Sequence, residues 1–295
     1  MGEIVGAGFL AHVPTIVLPD DVRRALNNGK ESTLYSGLHQ LRREVFDVVK
    51  PDLVIVFDSH WFTTVEFVIT SAERRQGFFT SEELPRGMSS VPFDVKGDPT
   101  FAKLVGEIAD ATPECWITPI DNEHLPIMYA TTNFFPFLQG DEAWLSVSTC
   151  QTSEPRDFEA VGKVIASAIE QSDRRVVLIA SGALSHTFHT LRTLRNHEAA
   201  GEEHIFSEEA RVADHQVIDA WLRGDHANVI DNYAEFFKVK PEGRFAHYQM
   251  MIAALGGRAC VAPGRLFSDY ENSIGTGQVH VWFDKPDNGW TGASA

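Results

Sequence analysis

The chain is poor in cysteine. Cys115, Cys150 and Cys260 are scattered through 295 residues with no Cys-x-x-Cys pair. That spacing excludes a disulfide framework and a cysteine-based zinc site, and points to a reducing compartment. Basic side chains are also scarce. Twenty-five Lys and Arg stand against 41 Asp and Glu, a formal net charge of -16. Such a field disfavours nucleic acid and anionic membrane surfaces as partners, although a local site can still oppose it and take a small anion. No apolar run approaches the length of a bilayer span. The opening residues Met1-Gly2-Glu3-Ile4-Val5 lack the basic stretch of a signal peptide. A cytoplasmic location is therefore expected. Repeats, low-complexity segments and clear linkers are missing too. Hydrophobic residues make up 43% of the chain, enough for a sizeable core.

The clearest local signal is Val54-Ile55-Val56-Phe57-Asp58-Ser59-His60-Trp61. Four apolar, mostly β-branched residues predict a short buried strand that ends as the polar residues begin. Residues 4–11 predict an earlier strand, stopped by His12-Val13-Pro14. Residues 176–180 predict a late one, followed by Ser181-Gly182-Ala183-Leu184-Ser185-His186. Further strands are expected at 67–70, 116–119, 144–148 and 277–283. Helical spacing appears at 36–49, 101–109, 158–169, 210–222, 226–237 and 245–255, and in the first part of 127–137. Residues 19–32 and 77–92 read as loops. Strands alternating with helices predict an α/β fold, a single large domain with a central mixed sheet flanked by helices. It would span residues 1–285, with 286–295 as a frayed tail.

In such sheets ligands bind beyond the carboxyl ends of strands. His12, His60 and His186 each follow an expected strand, and Glu242 opens an expected helix. These stretches are read as converging on one metal site. Two His and one carboxylate on one face of an octahedral ion, here His12, His60 and Glu242, are the facial triad of non-haem Fe(II) oxygenases. Their spacing is not local. Most of the 12 His belong to the surface or core. His39, His197, His204, His215, His226 and His280 are assigned there, while His189 and His247 stay open. Asp58 suits either an Asx turn or the support of a ligand His. Trp61, Phe62, Phe78 and Phe79 suit core packing more than ring stacking, and Arg244 suits a surface ion pair or a substrate carboxylate. Gly182 and Gly243 suit tight backbone geometry.

Taken in order, Ala11-His12-Val13-Pro14, Asp58-Ser59-His60-Trp61, Ser181-Gly182-Ala183-Leu184-Ser185-His186 and Glu242-Gly243 resemble the class III extradiol ring-cleaving dioxygenases, the family of the protocatechuate 4,5-dioxygenase β subunit. Gly77-Phe78-Phe79-Thr80-Ser81-Glu82-Glu83-Leu84-Pro85 and Gly275-Thr276-Gly277-Gln278-Val279 look most like the homoprotocatechuate 2,3-dioxygenase branch. The resemblance implies Fe(II), with Mn(II) as the alternative ion, on His12, His60 and Glu242, and His186 as acid/base residue. It implies a second His in an Asp-His-Gly motif. Here that stretch is Glu123-His124-Leu125, which keeps the His and loses the Gly. The implied reaction cleaves a substituted catechol or catecholic acid next to its diol with O2, giving a muconic semialdehyde-type product. The alternatives are 2-aminophenol cleavage, a non-enzymatic Memo-type relative and a zinc protein of the same fold. A homo-oligomer is expected, and some relatives carry a small partner subunit.

Overall fold

Successive side chains of a strand point to opposite faces. A strand apolar at every position therefore needs cover on both. The computed structural model, which describes residues 1–122, 124–125 and 127–292, provides it. Leu53, Ile55 and Phe57 enter one hydrophobic cluster, Val54 and Val56 the other, and all five are fully buried. Val176, Leu178 and Ala180 divide from Val177 and Ile179 in the same way. Each fully buried side chain of this size contributes about 1.5–3 kcal/mol by leaving water. The central strands are thus the floor of two cores at once.

In chain order the strands are β1 (Glu3–Leu10), β2 (Leu53–Thr63), β3 (Phe67–Thr70), β4 (Arg74–Phe79), β5 (Val91–Lys96), β6 (Ile117–Ile120), β7 (Ala143–Cys150), β8 (Arg175–Ser181), β9 (Gly264–Leu266), β10 (Glu271–Ser273), β11 (Thr276–Gln278) and β12 (His280–Asp284). Eight form the central sheet in the order β6-β3-β7-β2-β8-β1-β12-β9. Its middle is parallel, β7 to β2 to β8 to β1, and antiparallel pairs at β3/β7, β1/β12 and β12/β9 make it mixed. The helices Pro99–Asp110, Pro155–Gln171 and Ala246–Ala254 supply residues to one core. Thr33–Leu41, Tyr129–Thr132 and Phe135–Leu138 supply the other. The α/β architecture of one domain matches the expectation.

Two local readings change. β2 does not stop at Phe57 but runs on to Thr63. Its pairing with β7 jumps from Phe57↔Val147 to Phe62↔Thr149, so four residues bulge out against one. Such bulges re-aim side chains, and His60 lies inside this one. Residues 19–32, read as a loop from their polarity, contain the helix Asp20–Leu26. Asp20 and Asp21 sit in its first turn and Arg23 and Arg24 in its last, each sign complementing the helix dipole. The stretch 77–92 is irregular from 80 to 90, as read, and only its two ends join the hairpin of β4 and β5.

The tail is docked rather than frayed up to Gly292. Trp290 packs against the core and donates from Nε1 to the Ile4 carbonyl (3.2 Å). Residues 293–295 of the expected tail lie outside the described residues.

His280 is structural, as its strand position suggested. It accepts from the Ala11 N–H at Nδ1 (3.1 Å) and donates from Nε2 to the Leu34 carbonyl (3.0 Å). Burial lowers its pKa to about 4. The unfolded chain binds a proton near pH 6.5 and the folded one does not. Folding stability should therefore fall as pH drops from about 6.5 to about 4, by up to about 1.4 kcal/mol per pH unit from this group. Urea titrations across that range should show the slope, and His280→Asn should reduce it.

Candidate metal centre

Leu10, Asp58 and Ser181 stand level across β1, β2 and β8. β1 and β8 end there and β2 bulges, and three candidate ligands gather just beyond. His12 is 4% exposed. Its carbonyl accepts from Asn133 Nδ2 (2.7 Å). Its Nδ1 lies 2.9 Å from Ser181 Oγ, and Ser181 gives its own proton to the Ala130 carbonyl (2.6 Å). The hydroxyl can then only accept, so His12 Nδ1 carries the hydrogen and Nε2 keeps its lone pair for a cation.

His60 is aimed by the bulge. Asp58 Oδ1 accepts from the backbone N–H of His60 and of Trp61, both at 2.9 Å, and Oδ2 accepts from Thr131 Oγ1 (2.6 Å). Asp58 is therefore an Asx-type turn former that fixes the backbone of His60. Glu242 enters from the far side on the short helix Glu242–Phe245. Its backbone N–H donates to the Leu184 carbonyl (3.1 Å), and Ser185 bridges Pro241. Ser59 Oγ donates to Glu242 Oε1 (2.7 Å) and the Ala183 N–H to Oε2 (2.5 Å). Gly243, Arg244 and Phe245 all take positive φ, a left-handed turn that turns the chain sharply behind the carboxylate. A Cβ on Gly243 would stand 3.2 Å from Ser59 Cβ. At Gly182 a Cβ would meet the His247 ring at 2.4 Å, so glycine is required there by close approach.

Glu242 Oε1 is 2.9 Å from His60 Nε2 and 3.4 Å from His12 Nε2, and the ligand atoms of all three lie within 4.8 Å of one another. Cis donors around an ion at about 2.1 Å stand about 3 Å apart. Burial works against charge here, yet the opposed imidazoles of His12 and His186, with His60 beside them, hold the Glu242 carboxyl well below its usual range. Burial also disfavours the charged form of His60, but Glu242, Asp58 and Glu83 outweigh it and raise its pKa. A fully buried carboxylate facing two imidazoles is a place that wants positive charge. The donor set fits a divalent transition metal.

The sequence matches the family model for the catalytic LigB subunit of aromatic ring-opening dioxygenase over residues 6–284. The chain belongs to the LigB family. It is an extradiol ring-cleaving dioxygenase. It is 26% identical over 264 residues to the 3,4-dihydroxyphenylacetate 2,3-dioxygenase of Escherichia coli, covering 87% of this chain and 91% of that one. It is 27% identical over 214 residues to a 2-aminophenol 1,6-dioxygenase beta subunit of a Pseudomonas species, covering 63% of each. An uncharacterized Escherichia coli K12 protein of known structure shares the fold with a TM-score of 0.62 at 16% identity, over 94% of this chain and 99% of that one.

In this dioxygenase the three candidate ligands line a cavity of about 450 Å³. His186 lines it as well, and burial lowers the pKa of its imidazole, which leaves the ring neutral at neutral pH. Tyr129 lines it beside the ligands. Its hydroxyl lies 2.8 Å from His60 Nε2 and donates to Glu83 Oε2 (2.9 Å). Burial pushes that phenol well above its usual pKa. His124 is exposed and is not among the residues lining the cavity, and its neighbours Glu123 and Pro126 lie outside the described residues. Its backbone N–H donates to Asn122 Oδ1 (2.8 Å). Arg244 is tied to the Gln151 carbonyl (2.8 Å) outside the cavity. Phe62 and Phe78 are exposed, Trp61 and Phe79 buried, and none of the four lines the cavity.

His247 packs behind the site, fully buried between Phe9 and Phe245, and burial depresses its pKa to about 3. His189 stacks on His197 at 3.5 Å between ring centroids and donates to the His204 carbonyl (2.9 Å). Neither lines the cavity.

Sequence reasoning missed Tyr129 and Asp214. Asp214 is fully buried in the helix Glu208–Leu222. It accepts from the Ser185 N–H (2.9 Å), Ser185 Oγ (2.6 Å) and Tyr270 Oη (2.5 Å). Burial raises its pKa to about 7. Asp214 thereby positions the turn that carries His186 and braces Glu242. Asp214→Ala leaves three donors without an acceptor and should cost about 2–4 kcal/mol in chemical denaturation. The signal available in sequence was one acid in an acidic helix, which distinguishes nothing.

Proposed function

We propose that His12, His60 and Glu242 hold Fe(II), and that the protein cleaves the ring of a substituted catechol next to its diol with O2, giving a muconic semialdehyde-type product. The observation that carries this reading is the buried two-His, one-carboxylate cluster opening into a cavity that also holds a neutral His186. When bound, the ion would supply a Lewis acid that lowers the pKa of a coordinated diol and activates O2. The residues do the rest. Ser181 and Ser59 orient His12 and Glu242. Burial keeps His186 ready to take a proton from the substrate hydroxyl and later return it to oxygen. Tyr129, beside His60 in the same cavity, is a further group that could hydrogen-bond a substrate hydroxyl.

A second reading is supported by the aminophenol dioxygenase relative, since the same ligands would serve an amine in place of one hydroxyl. That relative is named a beta subunit, so a partner chain or a homo-oligomer belongs to the proposal too. A cytoplasmic location stays an expectation. Among the described residues no helix is long and apolar enough to cross a membrane.

The test is anaerobic reconstitution with Fe(II), then oxygen uptake and visible spectra with catechols and 2-aminophenols side by side. A yellow product with one O2 consumed per ring supports the proposal. Bound iron without uptake on any of these substrates overturns it.

A further inference from the structure

The charge on the cavity wall bears on the substrate's side chain, a question that rests on the proposed ring cleavage. Catecholic acids would need a cation to meet their carboxylate. Among the described residues the cavity lining contains one guanidinium or ammonium group, Arg23. That guanidinium is already engaged. Its Nε and Nη2 donate to the two oxygens of Glu31 (3.0 and 2.8 Å), Nη1 to the Leu18 carbonyl (2.7 Å) and Nη2 also to Asp20 (3.1 Å). One face of it covers the Tyr35 ring at 3.7 Å. An incoming carboxylate would have to displace Glu31.

The same lining carries acids. Glu83 accepts from Tyr129 on the metal side. Glu271 is bound by Ser32 and Thr33, so its oxygens are spent. Glu198 differs from both. It is half-buried in the wall, and no hydrogen bond or ion pair engages its carboxylate among the described residues. An unpaired carboxylate in a cavity wall attracts a cation and repels an anion.

We propose that Glu198 selects ring substituents bearing an alkylammonium group, so that the substrate is an amine-bearing catechol rather than a catecholic acid. The matched probes are 3,4-dihydroxyphenethylamine, 4-ethylcatechol and 3,4-dihydroxyphenylacetate, which differ at the side-chain end. Anaerobic calorimetry on the metal-loaded protein should show the amine binding roughly tenfold more tightly than the acid, with ethylcatechol between them. Glu198→Gln should shrink that ratio to about threefold or less while leaving ethylcatechol binding unchanged. Tightest binding of the acid, no binding of any probe, or a ratio unmoved by Glu198→Gln overturns the assignment. Oxygen uptake with the three probes is scored separately. Uptake with any one of the three supports ring cleavage, and uptake with none of the catechols or 2-aminophenols overturns it, whatever the order of binding.

Discussion

Glu242→Gln is expected to strip the protein of its metal and its turnover together. The change keeps the side-chain volume and removes the charge. Altering a group that merely supports a metal ligand costs about 10–100-fold in affinity. Replacing the one anionic ligand should exceed that, a loss of about 3 kcal/mol or more. The local consequences point the same way. His12 Nε2 and His60 Nε2 both face Glu242 Oε1. An amide can turn a donor toward them and cannot balance a dication. Metal analysis after equilibrium dialysis, beside oxygen uptake, checks this. Full metal occupancy in Glu242→Gln would remove Glu242 from the ligand set.

His186→Phe is expected to behave in the opposite way, keeping the metal and losing the chemistry. Phe fills the ring volume and cannot carry a proton. General acid–base catalysis contributes about 10²–10⁴-fold, so kcat should fall by that factor with bound iron unchanged. The pH profile separates this role from a structural one. Burial holds the His186 pKa below its usual value, so the wild-type base is lost as pH falls into the acid range. That acid limb should flatten in the variant. Normal turnover in His186→Phe would remove the residue from proton transfer, and loss of iron would make it structural.

The fold was legible where one side-chain pattern had one physical meaning. Continuous β-branched runs at 54–57 and 176–180 needed cover on both faces, and only the middle of a sheet offers that. Polarity misled where it had two meanings. Residues 20–26 are polar because their helix lies outside the core and complements its own dipole, not because the chain is irregular there. Of the site, His12, His60 and Glu242 could be named but not joined, since 48 and 182 residues separate them from one another along the chain. Their meeting depends on strand order, which no local spacing encodes. His186 falls in the same cavity as the three, whereas His124 does not line it. Tyr129 was hidden in an apolar helical stretch where an aromatic ring reads as packing. Asp214 acts on a turn 29 residues away in sequence, and only its burial marks it.

The parallel order of β7, β2, β8 and β1 gives the molecule two unlike rims. The proposed ligands stand above the carboxyl ends of these strands. The amino ends gather the other business of the chain: the Gly2 N–H donates to the Ser172 carbonyl (2.6 Å), Lys285 pairs with Glu3 (2.8 Å) and Trp290 reaches Ile4. Positions 3 and 285 are thus neighbours on the rim opposite the chemistry. The same geometry favours this rim for tethering the enzyme to a bead or electrode, since a linker anchored there leaves the mouth of the cavity facing the solution.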